Sequence, residues 1–126
     1  MSCWNTRVLP NAFQELANSS GNLTVTCSRP NERVKLTISG AARTSYIIVS
    51  RVRRRKGDIV EFIVTLPTTA DIVLDFRNGA LDGDPLLSAE KFPDQQFTTD
   101  GEITTARFRF CYDGGAWIYI DSQIPA

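Results

Sequence analysis

Residues 58–77, DIVEFIVTLPTTADIVLDFR, decide the fold of this chain. Apolar and polar residues alternate along it in two runs, the first ending at Leu66 and the second at Arg77. Successive side chains of a β-strand point to opposite faces, so a period of two is the pattern of a strand with one buried face. The stretch therefore predicts two half-buried strands, over residues 58–66 and 71–77.

The alternation continues on both sides of this stretch and predicts further strands over residues 22–27, 33–38 and 104–112. Residues 45–52 and 116–121 are apolar on both alternating faces, so a strand formed by either must be covered on both sides. The cover is either a loop or helix of the same chain or a neighbouring subunit. The second alternative makes four residues candidates for an oligomer interface: Ile47, Val49, Trp117 and Tyr119.

Two glycine-containing segments, at residues 56–58 and 113–115, have the composition of tight hairpin turns. Only residues 11–17 have a helical pattern, which begins at the cap residue Asn11. We therefore expect an all-β fold, an antiparallel β-sandwich or jelly-roll-like barrel of about seven to eight strands, with one short N-terminal helix at most.

The length of 126 residues suits one domain, because a chain of this size buries roughly two-thirds of its unfolded surface. We expect a single β-sandwich domain over residues 1–126. Residues 1–10, MSCWNTRVLP, are either a frayed terminus or an extended arm that clasps a neighbour, with Trp4 and Arg7 as its candidate contacts. No apolar run approaches the ~20 residues of a membrane-spanning helix, so no membrane partner is expected.

The chain has no histidine and three cysteines, Cys3, Cys27 and Cys111. Without histidine the usual pairs of nucleophile and base cannot form, and no P-loop or nucleophile-elbow motif occurs, so we expect neither an enzyme nor a cofactor. The cysteines are too widely spaced for a zinc site. Alternation points Cys27 inward and Cys111 outward, and the odd count favours three free thiols in a reducing cytosol.

Residues 78–101 break the strand pattern. Loops this long are often functional, although this one can also be an ordered crossover between two sheets. Its Asp82-Gly83-Asp84 segment resembles the start of a calcium loop but lacks the remaining ligands, so no metal is expected.

The net charge is zero, but the charges are unevenly distributed. Residues 1–57 carry ten Lys or Arg and two acidic residues, a net charge of +8, whereas residues 58–126 carry four and twelve, a net charge of −8. Either strands from the two halves pair and neutralise one another, or the molecule is polar and docks its neighbours by charge complementarity.

The basic segment 51–56, RVRRRK, is the most unusual local feature. It is either a solvated loop or a contact with an acidic protein surface, for which arginine is the better suited cation. Nucleic acid is not the expected partner, because the chain is neutral overall and no aromatic residues lie among these cations. The candidate partner-binding residues are Arg51, Arg53, Arg54, Arg55 and Lys56, together with Trp4 and Arg7 of the arm.

Residues 57–79, GDIVEFIVTLPTTADIVLDFRNG, and 108–120, FRFCYDGGAWIYI, resemble the small β-domains of tailed-bacteriophage virion proteins. In those proteins a strand-rich body often ends in an aromatic run with Tyr-Asp-Gly and Trp. The resemblance covers about half of the chain. It implies a capsid decoration (cement) protein, or alternatively a tail-fibre or spike domain, and it supplies no catalytic residues.

A decoration protein would be a non-enzymatic virion structural protein, assembled in the host cytoplasm, that stabilises the capsid by binding the shell as an oligomer. Its partner would be the major capsid protein or another virion protein, and the resemblance implies a homotrimer. The alternative is a receptor- or glycan-binding β-domain that uses loop 78–101 and aromatic residues such as Trp117.

Overall fold

The computed structural model describes residues 12–125, which form nine β-strands and no helix. The strands are β1 (Gln14–Asn18), β2 (Leu23–Val25), β3 (Asn31–Ile38), β4 (Arg43–Val49), β5 (Ile59–Thr65), β6 (Ile72–Asn78), β7 (Phe97–Thr98), β8 (Thr105–Tyr112) and β9 (Trp117–Gln123). One sheet has the order β1-β3-β5-β8-β9 and the other has the order β2-β4-β6-β7. The all-β class is confirmed, and each of the seven predicted strands overlaps a strand of the structure.

From β1 to β6 the chain passes from one sheet to the other after every strand. Neighbouring strands of a sheet therefore run in the same direction, so that β1, β3 and β5 are parallel, as are β2, β4 and β6. One turn of this winding takes 20 residues from Gln14 to its register partner Val34 and 29 residues from Arg43 to its partner Ile72. The last three strands are antiparallel to their neighbours, with β7 beside β6, β8 beside β5 and β9 beside β8.

The expected antiparallel sandwich or jelly-roll-like barrel is wrong in topology, because both sheets are mixed and neither closes into a barrel. Side chains alternate in parallel and antiparallel strands alike, so the sequence pattern carries no information about strand direction. Gly57 has the positive φ of a turn residue, 96°, but it lies in a crossover between the sheets and not in a hairpin. The turn around Gly114, with φ 107°, does join a hairpin, β8 to β9.

The predicted N-terminal helix over residues 11–17 is also wrong. Its described part belongs to the edge strand β1 and the residues just before it, and Leu16 lies opposite Leu36 of β3. A helix this short is marginal in water, whereas the strand gains backbone hydrogen bonds to β3 and packs Leu16 against the core. Asn11, the predicted cap, lies outside the described residues.

Four phenylalanines fill the space between the sheets. Phe76 of β6 lies 5.1–5.2 Å, between ring centroids, from three rings of the other sheet, those of Phe62, Phe108 and Phe110. All four side chains are fully buried. Burying a phenylalanine contributes about 1.5–3 kcal/mol, and tilted aromatic pairs add about 0.5–1.5 kcal/mol. Phe76 is therefore the contact that ties the two sheets together.

The strands that are apolar on both faces are covered mainly within the chain itself. Ile47 and Val49 of β4 are fully buried in the core, and Ile48 on the opposite face of that strand is only 9% exposed. Trp117 of β9 is 1% exposed, whereas its neighbour Ile118 is 41% exposed. A neighbouring subunit is therefore not needed to cover β4.

Asn78, the last residue of β6, joins the two sheets through Trp117 of β9. Its side-chain amide donates to the Trp117 carbonyl oxygen at 2.8 Å, and its side-chain oxygen accepts from the Trp117 backbone N–H at 2.9 Å. The Trp117 indole N–H donates to the Ser50 carbonyl oxygen at 3.0 Å. One asparagine thus satisfies two buried backbone groups at the beginning of an edge strand.

Replacing Asn78 with Ala should lower the free energy of unfolding by about 2–4 kcal/mol, because both backbone groups of Trp117 lose their partners. Urea denaturation followed by tryptophan fluorescence measures this change. Asn22, exposed in the connection between β1 and β2, supplies the control. Asn22→Ala should change the free energy of unfolding by no more than about 0.5 kcal/mol, and equal effects of the two substitutions would contradict the role of Asn78.

Candidate functional site

Four connections meet at one end of the sandwich, where β2, β4, β6 and β8 end and where β3, β5 and β9 begin. Backbone hydrogen bonds join these connections, for example from the Gly57 N–H to the Tyr112 carbonyl oxygen at 2.8 Å. We call this the arginine end, because it carries the basic segment 51–56. Its loops are residues 26–30, 50–58, 79–84 and 113–116.

Arg54 anchors the basic loop within the chain. Its side chain is 6% exposed and forms an ion pair with Asp58, with Nη1 and Oδ2 3.4 Å apart. The same guanidinium donates to the carbonyl oxygens of Arg29 and Cys27 at 2.8 and 3.0 Å. Asp58 also accepts from the Arg55 backbone N–H at 2.9 Å. Of the predicted partner-binding residues, Arg54 is thus committed to internal contacts.

The anchored loop presents Val52 and Arg53 at its tip. A turn closed by the Arg54 N–H and the Arg51 carbonyl oxygen, 3.3 Å apart, places these two residues outermost. Val52 is 60% exposed, and Arg53 has a left-handed backbone with φ 58°. We call these two residues the tip. It is a short apolar and cationic projection on a base held by the contacts of Arg54 and Asp58.

The other cations of this loop are also exposed. Arg51 reaches the neighbouring turn, where its Nη1 donates to the Gly115 carbonyl oxygen at 3.4 Å. Arg55 and Lys56 are exposed beside it, and Leu81 of the adjacent loop is 46% exposed. The ion pairs formed among the described residues involve none of Arg51, Arg53 and Arg55. Three guanidiniums therefore remain available for carboxylates of a partner.

On the larger sheet, Glu61 of the acidic half pairs with Arg33 of the basic half and with two arginines of its own half. Glu61 is 2% exposed on the outer face of the larger sheet, although alternation points it away from the core. It accepts from Arg33 and Arg109 at 3.1 and 2.7 Å, and Arg107 lies 3.5 Å from it. Sequence reasoning missed Glu61, because only the order β3-β5-β8 brings these arginines beside it.

Loop 78–101 is an ordered crossover that contains the short strand β7. It covers Asp75, which is fully buried, accepts from Arg77 at 2.7 and 2.8 Å and accepts from Gln96 of the loop at 3.1 Å. The hydrogen bonds from the Arg77 guanidinium to Asp75 raise the pKa of Arg77. Asp82 and Asp84 are exposed, and residues 12–125 contain no group of three or more potential metal ligands.

Three of the four candidate oligomer-interface residues, Ile47, Val49 and Trp117, are buried in the core of a single chain and leave no surface for a neighbour. The fourth, Tyr119, is partly buried against the core and places its hydroxyl 2.8 Å from that of Ser122. The homotrimer thus stays a prediction, and these four residues do not support it. Trp4 and Arg7 lie outside the described residues.

The cysteines differ from one another. Cys27 has a free, buried thiol, whereas Cys111 is disulfide-bonded, so the expectation of three free thiols is wrong for Cys111. Alternation does place Cys111 on the outer face, yet the residue is fully buried there. A side chain that points away from the core is therefore not necessarily exposed to solvent. Cys3 lies outside the described residues.

No protein-family model and no curated protein matches this chain. Its surfaces are thus the basis for assigning a function, and the likeness to phage virion domains stays an expectation. The part of the chain that the structure describes has no helix long and apolar enough to cross a membrane.

Replacing Arg54 with Ala should lower the free energy of unfolding by about 3–5 kcal/mol, because it leaves Asp58 buried without its ion-pair partner. Arg55→Ala is the matched control, since Arg55 is exposed and its effect should stay within about 0.5 kcal/mol. Thermal or chemical denaturation distinguishes the two substitutions. If both were equally mild, the anchoring role of Arg54 would be wrong.

Burial raises the pKa of the Cys27 thiol from 9.0 to about 12, against an opposing effect of the Arg54 guanidinium. The thiolate is the reactive form, so native Cys27 should resist alkylation by iodoacetamide between about pH 8 and 10, where an ordinary thiol ionises. Denatured, non-reduced protein should be alkylated there, as mass spectrometry will show. Cys27→Ala controls for reaction elsewhere, and rapid labelling of the native thiol would contradict this prediction.

Proposed function

We propose that this chain is a non-enzymatic structural protein that attaches to an acidic protein surface through its arginine end. In particular, we propose that it decorates the capsid of a tailed bacteriophage, with the major capsid protein or another virion protein as its partner. The observation that carries the proposal is the exposed set of Arg51, Arg53 and Arg55 beside two exposed apolar residues, Val52 and Leu81.

The chemistry of this surface suits binding to protein carboxylates. A guanidinium stays protonated in proteins and pairs with a carboxylate through two parallel hydrogen bonds. It therefore supports recognition but does not exchange protons with a substrate. Val52 and Leu81 add apolar area, which contributes about 25 cal/mol for each Å² removed from water.

The anchoring of the loop by Arg54 also favours binding. A flexible basic loop would lose conformational freedom when it docks, and that loss opposes association. Here the backbone of the tip is already fixed by the contacts of Arg54 with Asp58 and two carbonyl oxygens. Ion pairs at an exposed rim contribute only about 0–1 kcal/mol each, so they mainly set orientation and association rate.

The alternative function, a receptor- or glycan-binding domain, has less support. Trp117, its candidate aromatic contact, is 1% exposed and cannot stack on a sugar without leaving the core. Loop 78–101 is held by Gln96 against Asp75 and by Phe92, whose ring lies 6.4 Å from that of Phe108. Nucleic acid is also disfavoured, because the exposed apolar residues of the arginine end, Val52 and Leu81, are aliphatic and not aromatic.

Replacing both Arg53 and Arg55 with Gln should weaken binding to undecorated phage shells by about tenfold or more and flatten its dependence on salt. Arg54 is left intact so that the loop keeps its anchor. The matched control replaces two exposed lysines outside the arginine end, Lys35 and Lys91, with Gln. Sedimentation of shells with bound protein across a salt series measures the affinity. The proposal fails if the two double variants bind alike.

A further inference from the structure

The opposite end of the sandwich carries an open concavity of about 560 Å³. It lies between the connections 39–42, 66–71 and 99–104, which join the ends of β3, β5 and β7 to the beginnings of β4, β6 and β8. Small side chains line it, including Ala41, Ala42 and Ala70, and its acidic residues are Asp71 and Asp100. We call this end of the sandwich, with the concavity and the exposed carboxylates around it, the acidic end.

The carboxylates of the acidic end are exposed. Asp71, Asp100 and Glu102 take part in none of the ion pairs among the described residues. Arg43, whose backbone N–H donates to the Asp71 carbonyl oxygen at 3.2 Å, directs its side chain instead to Asn18 and to the carbonyl oxygens of Ser39 and Ala41. The acidic end therefore keeps three carboxylates without a partner.

We infer that the arginine end of one copy docks on the acidic end of a second copy, with Val52 and Arg53 of the tip in the concavity. Arg51, Arg53 and Arg55 of the basic loop form no ion pair among the described residues and are complementary in charge to Asp71, Asp100 and Glu102. The exposed carboxylates of the arginine end, Asp82, Asp84 and Asp113, lie on its other loops and not on the tip. Val52 meets the alanines of the lining, and Arg53 meets Asp71 and Asp100. This inference rests on the proposed function, because it uses the same binding loop. It names a second copy of the chain as the partner that occupies the concavity.

The two docking surfaces lie at opposite ends of the strands, so the contact is heterologous. A heterologous contact continues from copy to copy unless the rotation between copies closes a ring. Strands that run from one surface to the other favour open, head-to-tail chains over a closed trimer. In such a chain the first copy keeps its arginine end for another acidic surface, and its acidic end receives the next copy.

Two single substitutions test the contact from its two sides. Arg53→Asp reverses the charge of the tip, and aspartate tolerates the left-handed backbone at this position better than most residues. Asp71→Arg reverses the charge at the exposed rim of the concavity. Lys91→Glu is the control, because it changes the charge by the same amount as Arg53→Asp at an exposed site outside both ends. Thermal denaturation checks that each variant is folded.

Analytical ultracentrifugation of the wild-type protein at low ionic strength should show a mass that rises with concentration and falls when salt is raised to about 0.5 M. Each reversal should weaken self-association by about tenfold or more, whereas Lys91→Glu should not. A mixture of the two reversed variants should associate again. The intact tip of the Asp71→Arg chain can still enter the intact concavity of the Arg53→Asp chain.

A wild-type protein that stays monomeric at all concentrations, the discrete trimer that the resemblance implies instead, or a mixture that does not associate would each overturn the inference. Binding to undecorated shells distinguishes a failure of this inference from a failure of the proposed function. The Asp71→Arg chain keeps its arginine end and should bind shells as tightly as the wild type. Unchanged shell binding by the Arg53→Asp chain would count against the proposed function, whether or not that chain self-associates.

Discussion

The contact between Phe76 and three phenylalanines of the opposite sheet is the interaction on which the rest of this structure depends. Two sheets with apolar inner faces must remain packed together, or those faces meet water. Because the chain changes sheet after every strand up to β6, each crossover adds one more strand to the same hydrophobic core. The layer is completed at its edge by Trp117, which Asn78 holds in place.

Buried carboxylates organise what lies outside this core. Asp58 holds the basic loop, Glu61 joins three strands of the larger sheet, and Asp75 holds the long crossover. Each has at least one arginine partner, as a buried charge requires, since an unpaired one would cost several kcal/mol. Two arginines of the basic half, Arg33 and Arg54, pair in this way with carboxylates of the acidic half. Among the charges that form no ion pair within the described residues, Arg51, Arg53 and Arg55 lie at the arginine end, and Asp71, Asp100 and Glu102 lie at the acidic end.

The arginine end combines a fixed base with an exposed tip. Arg54 is closed off from solvent by its internal contacts, while Arg53 beside it projects outward. A rigid projection loses little conformational freedom on binding, so weak ion pairs at its rim can still set the orientation of a partner. The same property serves attachment to a shell and contact between copies, because both require carboxylates around a shallow surface.

The sequence by itself determined the all-β class, the approximate positions of seven strands, the inward residues such as Phe62 and the Gly114 turn, because a period of two and a glycine turn are local properties. Only the tertiary structure decided that β1, β3 and β5 run parallel, that Glu61 meets three arginines and that Arg54 is buried while Arg53 is exposed. These features depend on contacts between residues far apart in the chain. Alternation shows which side chains point away from the core, but strand order and strand direction decide which residues cover them.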